Sequence, residues 1–453
     1  MSYTPSHKNQ IDMLEGSLAD KMVLFALPLA ASSVLQQLFN AADLAVVGRF
    51  ASAQAMAAVG SNTAVVNLII SLFVGLSVGA NVVIASLIGA GHRERINQAV
   101  HTIVAVAFIA GILLTGLGIL LTPPILRLMA APKEVMDLAI IYLRVYFLAM
   151  PAILVYNYGS AILRSKGDSR RPLIALSASG VINILLNLLL VIVFHLHVIG
   201  VAAATVASNV FAAGLTLHFL MTEDVTFRLD IKKLSIQENY LIQMMQIGLP
   251  AGLQGMVFSL SNVVIQSAVN SFGADAIAGA TATANFDFVS YCVISAFAQT
   301  AVTFTSQNFS AGKYDRCKKV FRISMFCGIG CSALCVTVLT LLRYQFIHIF
   351  TTDENVIYYG MVRVMHCFIF HYLVGTYEIS GGCLRGMNRS LLPAVISILG
   401  TCGLRLIYVF TYFRGVHTFE ALFHVYPISW VFTGTLTLTA YFTVRRRLFK
   451  SGI

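Results

Sequence analysis

Long apolar runs broken by short polar loops make up most of the chain, as in Thr102–Leu121 and Pro172–Phe194. A helix crosses a bilayer with about 20 apolar residues. Runs of that kind predict helices over residues 21–48, 54–88, 96–121, 134–163, 172–194 and 198–221. Thr222–Glu238 follows as the longest hydrophilic stretch inside the chain. A second set is predicted over residues 239–271, 275–309, 317–342, 354–384, 391–413 and 418–444. Several of these spans exceed the bilayer thickness and are expected to tilt, bend or protrude.

The two sets of six read as a repeat. Leu27-Pro28 recurs as Leu249-Pro250, and Phe50 as Phe272. Ala90-Gly91 returns as Ala311-Gly312, Leu163-Arg164 as Leu384-Arg385, Ser169 as Ser390 and Pro172 as Pro393, always at an offset of 221 or 222. An even number of helices per repeat gives both copies the same orientation, with a pseudo-two-fold axis along the membrane normal. The predicted fold is an all-α polytopic membrane protein with twelve transmembrane helices in two six-helix bundles. Its first lobe is residues 1–221, led by a short cytoplasmic segment; 222–238 is a cytoplasmic connector; 239–453 is the second lobe, ending in a basic cytoplasmic tail.

Composition strengthens this picture. Only 11% of the 453 residues are charged, 58% are hydrophobic and the mean hydropathy is +0.81. Soluble domains carry roughly 25% charged residues, so most of this chain faces lipid. Unbroken runs suit helices, whereas barrel strands alternate over about 10 residues.

The net charge of +11 would suit nucleic acid if it were clustered on one surface, but it follows topology instead. With a cytoplasmic N-terminus, 22 of the 30 Lys and Arg fall on inner segments, including Lys8, Arg164, Lys166, Arg171 and Arg445–Arg447. Outer segments hold Arg49, Arg127, Lys133, Arg343 and Arg414. This positive-inside bias places both termini in the cytoplasm, in the cytoplasmic (inner) membrane, and argues against a nucleic-acid partner. The first twenty residues lack the apolar core of a cleavable signal. All eight cysteines follow residue 290. Cys327, Cys331 and Cys335 share a helix face, and small buried apolar residues, not a metal site or disulfide framework, are the expected reading.

Ionisable groups in lipid are costly and each is a functional candidate. Asp43, Asp287 and Glu378 fall well inside apolar helices, and their repeat mates, Ile265, the region of Val66, and Asn157, are not acids. Ser33, Gln36, Asn40 and Asp43 share one face of the first helix by i, i+3, i+4 spacing. Asp43 lies about 30 Å along that helix from Met22, so it reads either as an outer-end carboxylate reaching the headgroups or as a cation site that changes protonation or ion occupancy. Asp287 lies about 18 Å from the outer end of the eighth helix, with Tyr291, Ser295 and Gln299 extending a polar seam. Glu378 has Gly375 and Gly382 on its face, which admit either a bulky ligand or close helix packing. Both acids read as solute-binding groups or as hydrogen-bonded structural acids. Arg144, Arg363 and Arg405 are the embedded bases, expected to snorkel or pair structurally. Pro28, Pro151, Pro250 and Pro427 are expected to bend their helices.

Leu38–Phe50 with Ala57-Ala58-Val59-Gly60, Ser306-Gln307-Asn308 with Ala311-Gly312-Lys313, Leu384-Arg385-Gly386, and Asn183–Asn187 with Gly200–Thr205 together resemble the multidrug and toxin extrusion (MATE) family. The likeness covers nearly the whole chain and is nearest the DinF-like bacterial branch. It implies a two-bundle, monomeric transporter that exports small-molecule organic cations against inward H⁺ or Na⁺, without a cofactor, among membrane lipids. It also implies a coupling site at Asp43, Asn183, Asn187 and Thr205, with Na⁺ at Asp43 as the metal option. Related branches carry an acid where this chain has Asn187; the change removes a negative charge, weakens the case for Na⁺ and leaves Asp43 the titratable group there. The acid found on the seventh helix of another branch is also missing, and Asp287 is the candidate replacement.

The resulting expectation is alternating access between two lobes. A cationic amphiphile meets aromatics and a binding set of Gln36, Asn40, Asp287, Tyr291, Gln299 and Glu378, and protonation of Asp43 favours release. The alternative cargo is a lipid-linked saccharide or another amphiphile, moved by a flippase of the same superfamily. Such a flippase would line its cleft with cations. Membrane enzymes are disfavoured, because no H-E-x-x-H, G-x-S-x-G or Walker A motif appears.

Overall fold

The computed structural model describes residues 10–50, 53–128 and 135–450; Lys8 and Lys133 of the charge pattern lie outside them, as do the side chains of Ala57–Gly60. The first half contains α1 (Ala19–Phe50), α2 (Ala53–Gly89), α3 (Arg93–Leu128), α4 (Met136–Phe147), α5 (Met150–Ser165), α6 (Arg170–Leu188) and α7 (His197–Met221). The second contains α8 (Glu238–Asn270), α9 (Ala274–Ser310), α10 (Tyr314–Leu341), α11 (Arg343–Phe350), α12 (Glu354–His366), α13 (Val374–Gly386), α14 (Leu391–Ser397), α15 (Leu404–Phe410), α16 (Tyr412–Gly415) and α17 (Phe419–Lys450).

Among the described residues ten helices are long and apolar enough to cross a membrane, and the α4–α5 pair, bent by 45°, makes an eleventh. The 32-residue α17 is the twelfth element of the two sets of six; it is long enough to span but less apolar than the other eleven. The α4–α5 bend falls at Pro151, whose ring and missing N–H interrupt the helical ladder. Pro28, Pro250 and Pro427 remain inside continuous helices. The tenth span breaks without proline: a 3-10 segment, Phe368–Leu373, separates α12 from α13. Here side-chain anchoring overrides helix propensity, because Phe368 packs edge-on to Phe286 at 5.6 Å and His371 bonds Ser290.

The repeat is visible in the helix ends. The second span closes with Gly91 at φ +75° and an N–H of His92 bonded to Leu87 O at 3.1 Å. Its mate closes with Gly312 at φ +70° and Lys313 N–H on Asn308 O at 2.8 Å. The fourth and tenth spans end alike, Gly167 at φ +99° and Asn388 at φ +60° each preceding the same long bond, Asp168 to Leu163 and Arg389 to Leu384. Glycine and asparagine are the residues that tolerate this left-handed turn.

By contact the chain forms two compact units, Met1–Asp12 with Leu27–Met245, and Met13–Ala26 with Gln246–Ile453. These bounds differ from the sequence-derived lobes in two segments. Met13–Ala26 belongs to the second unit because its backbone is held there: Asn308, Lys313 and Arg316 donate to the carbonyls of Met13, Leu14 and Gly16. The 222–238 stretch is part of the first unit. Asn97 Nδ2 donates to Arg228 O at 2.9 Å, His101 Nε2 accepts from Asp230 N, and Thr102 Oγ1 accepts from Gln237 N. A buried ion cluster seals the same face, where Lys166 and Arg171 meet Glu223, Arg171 also binds Asp168, and Lys166 reaches Asp224 at 3.2 Å.

Candidate functional site

In the first unit α1 and α6 touch at Gly180, where an added Cβ would lie 1.9 Å from the Phe39 ring. A side chain at this position would have to push the Phe39 ring aside. The close approach brings Asn183 and Asn187, one turn apart on α6, against Asp43 of α1. Asn187 Nδ2 donates to Asp43 Oδ1 and, at 3.2 Å, to Asn183 Oδ1. Asn183 Nδ2 donates onward to Ser208 Oγ of α7 at 3.5 Å. Asn187 is fully buried, Asn183 nearly so and Asp43 half-buried. Asn187 Oδ1 is a buried acceptor with no hydrogen-bond partner. Tyr142 and Tyr146 of α4 are buried within electrostatic reach of the Asp43 carboxyl.

Three of the four expected coupling residues therefore stand in one bonded chain. The fourth, Thr205, gives its hydroxyl proton to Val201 O at 3.0 Å in its own helix. Helix α7 enters the cluster through Ser208, whose Oγ also donates to Thr205 O at 3.0 Å. Ser208 went unrecognised in the sequence, although its i+3 spacing from Thr205 puts it on the same face. Gln36 and Asn40 lie exposed on α1, while Ser33 donates to Leu29 O. Of the α1 stripe, Asp43 is the member that bonds to the α6 asparagines.

In the second unit Asp287 of α9 is ion-paired with Arg363 of α12, whose Nη1 also donates to Thr283 Oγ1 at 3.3 Å. Arg363 is buried and stacks over Phe423 at 5.5 Å. This is the structural pairing open to Arg363, and it neutralises the carboxylate expected to face a cationic solute. Tyr291 is exposed, and Gln299 Nε2 donates to Ser295 Oγ at 3.3 Å. Glu378 is half-buried and within electrostatic reach of Arg385 and Tyr291. The glycines beside it serve packing: a Cβ at Gly375 would lie 2.8 Å from Ile329, and one at Gly382 2.7 Å from Ala298 O. Arg405 is wholly buried, bonds Ser429 through Nε at 3.1 Å and lies 4.3 Å over the Tyr426 ring, with both Nη atoms free of hydrogen bonds. Arg144, on the outside of α4, donates to Ile119 O at 3.3 Å.

The MatE family profile matches residues 28–189 and again 250–411, the two halves of the repeat. The chain is 29% identical over 390 residues to the probable multidrug resistance protein YoeA of Bacillus subtilis, covering 84% of each. It is 26% identical over 393 residues to the probable multidrug resistance protein NorM of Thermotoga maritima, covering 85% of this chain and 84% of that one. Among solved structures, the outward-facing conformation of a multidrug resistance MATE family transporter superposes with a TM-score of 0.88 at 21% identity, over 99% of both chains. With both halves of its repeat matched by one family, and twelve spans arranged in that family's two-bundle fold, this multi-pass membrane chain belongs to the MatE family, whose members are transporters and not enzymes.

Proposed function

We propose that this protein is a secondary antiporter that exports small organic cations in exchange for protons, with the Asp43–Asn187–Asn183–Ser208 chain as its coupling site. The observation that carries the reading is the pairing of Asp43 with a neutral amide. A carboxylate bonded to Asn187 can gain or lose a proton without stranding a counter-charge. Coupling then requires the proton and the organic cation to prefer different states of the transporter. The names of the relatives, multidrug resistance proteins, support a cargo of this class. The charge bias of the loops supports the cytoplasmic membrane with both termini inside.

For the cargo we assign Gln36 and Asn40 as the polar groups of the first unit, and Tyr291, Gln299 and Glu378 as those of the second. Glu378 supplies the negative charge, while Asp287 acts through Arg363 as a fixed ion pair. Sodium at the same cluster is a second reading, favoured by the unpartnered Oδ1 of Asn187, an oxygen a hard cation would take. Thr205, its oxygen still open as an acceptor, is the fourth ligand in that case.

Efflux of an ethidium-type dye from cells expressing wild type or Asp43→Asn tests both. Proton coupling predicts efflux that stops in the variant and with protonophore but survives Na⁺ removal. Efflux that dies with Na⁺ removal selects sodium. No efflux from well-expressed wild type rejects the organic-cation cargo.

A further inference from the structure

We propose that His366 and His424 form a binding site for a first-row transition-metal cation of the Zn²⁺ class, on the second unit and apart from the carboxylates used in transport. His366 ends α12, and His424 sits in the second turn of α17. Their facing nitrogens, Nδ1 of His366 and Nε2 of His424, are 2.8 Å apart. At that separation one ring donates a single shared proton to the lone pair of the other. A metal ion takes a lone pair from each once that proton has moved to the donor ring's other nitrogen or, from an imidazolium, to water.

The geometry is close to what the ion needs. Zinc binds imidazole nitrogen at about 2.0–2.1 Å in tetrahedral geometry, which sets two ligand nitrogens about 3.3 Å apart. The rings therefore have to separate by about 0.5 Å. His424 is exposed and His366 half-buried, so this motion is open to them.

Access is also built in. Both rings line a cavity of about 570 Å³ together with Met365, Phe370, Tyr408 and Tyr412. It is wide enough for the waters that complete the coordination. Glu420, one turn before His424 on α17, is within electrostatic reach of it and adds negative charge, and its carboxylate accepts from Tyr358 at 3.2 Å. Tyr408 is committed to Ala421 O at 2.8 Å. Imidazole with water favours Zn²⁺, Cu²⁺ or Ni²⁺ over Mg²⁺ or Ca²⁺, which prefer oxygen. Bound metal would join α12, just before the 3-10 break, to α17.

The test is Zn²⁺ binding to the purified full chain in nanodiscs by titration calorimetry. Wild type is expected to bind one more equivalent than the double variant His366→Gln/His424→Gln. Each single variant weakens that equivalent by about tenfold or more. His417→Gln, altering another exposed histidine of the same unit, leaves it in place. Binding must weaken between pH 7.5 and 5.5, because the metal displaces protons. Identical isotherms for wild type and double variant overturn the proposal. Should the variants fail to fold, diethyl pyrocarbonate labelling of wild type decides: Zn²⁺ must slow modification of His424 and not of His417, and equal rates overturn it.

Discussion

Asp43 and Asp287 are both carboxylates inside apolar helices, yet their partners differ in charge. Asp43 receives hydrogen bonding from the neutral Asn187 amide. Asp287 is held by the buried guanidinium of Arg363. Protonating Asp43 leaves neutral groups beside it. Protonating Asp287 leaves Arg363 a buried cation without its counter-charge, and breaking a buried pair from one side is expensive. On the proposed function, the acid beside a neutral amide is the carrier and the acid beside a guanidinium is the brace.

The largest expected effect comes from breaking the brace. Arg363→Ala should cost about 3–5 kcal/mol, read as a lower temperature of aggregation in detergent. Asp287→Asn combined with Arg363→Gln should recover most of it, since a neutral pair strands no charge. Failure of the double variant to recover would mean that Arg363 acts through Thr283 or Phe423 instead. Next comes Asp43→Asn, expected to leave thermal stability near wild type while dye efflux falls by more than tenfold, about 1.4 kcal/mol on the transport step, and loses its pH dependence. If both acids behaved alike in these two assays, the distinction between them would collapse.

Gly180→Ala tests how the first site is assembled. Its Cβ would meet the Phe39 ring, and overpacking of this kind typically costs about 1–3 kcal/mol. Efflux should fall with stability, and adding Phe39→Leu should restore part of both. The smallest effect is expected from Asn187→Asp, which puts a second carboxylate beside Asp43. Stimulation of efflux by Na⁺ should appear in that variant and be absent from wild type; equal stimulation in both would give the sodium reading precedence.

Much of this was legible in the chain itself. The repeat offset and the long apolar runs are local or periodic signals, and both survive in the fold. Pairings were not legible. Lys166 and Arg171 read as topogenic charges, yet they lie against Asp168, Glu223 and Asp224 in a buried cluster. Sequence spacing cannot report that a loop at residue 166 and a helix end at residue 223 share one place. Gly375 and Gly382 likewise allowed either a ligand or a neighbouring helix beside Glu378, and it was the positions of Ile329 and Ala298 that chose the helix.

By itself the sequence determined that the chain lives in lipid, that it is a doubled six-helix unit, and which acids stand out from that doubling. The reason is that lipid forces backbone hydrogen bonds to close within each helix, so hydropathy and period carry the architecture. Tertiary structure alone decided which charges meet. It set Ser208 rather than the Thr205 hydroxyl against Asn183, Arg363 against Asp287, and His366 against His424. Each of those contacts joins different helices, whose rotation and depth depend on packing at places such as Gly180, and no local pattern encodes them.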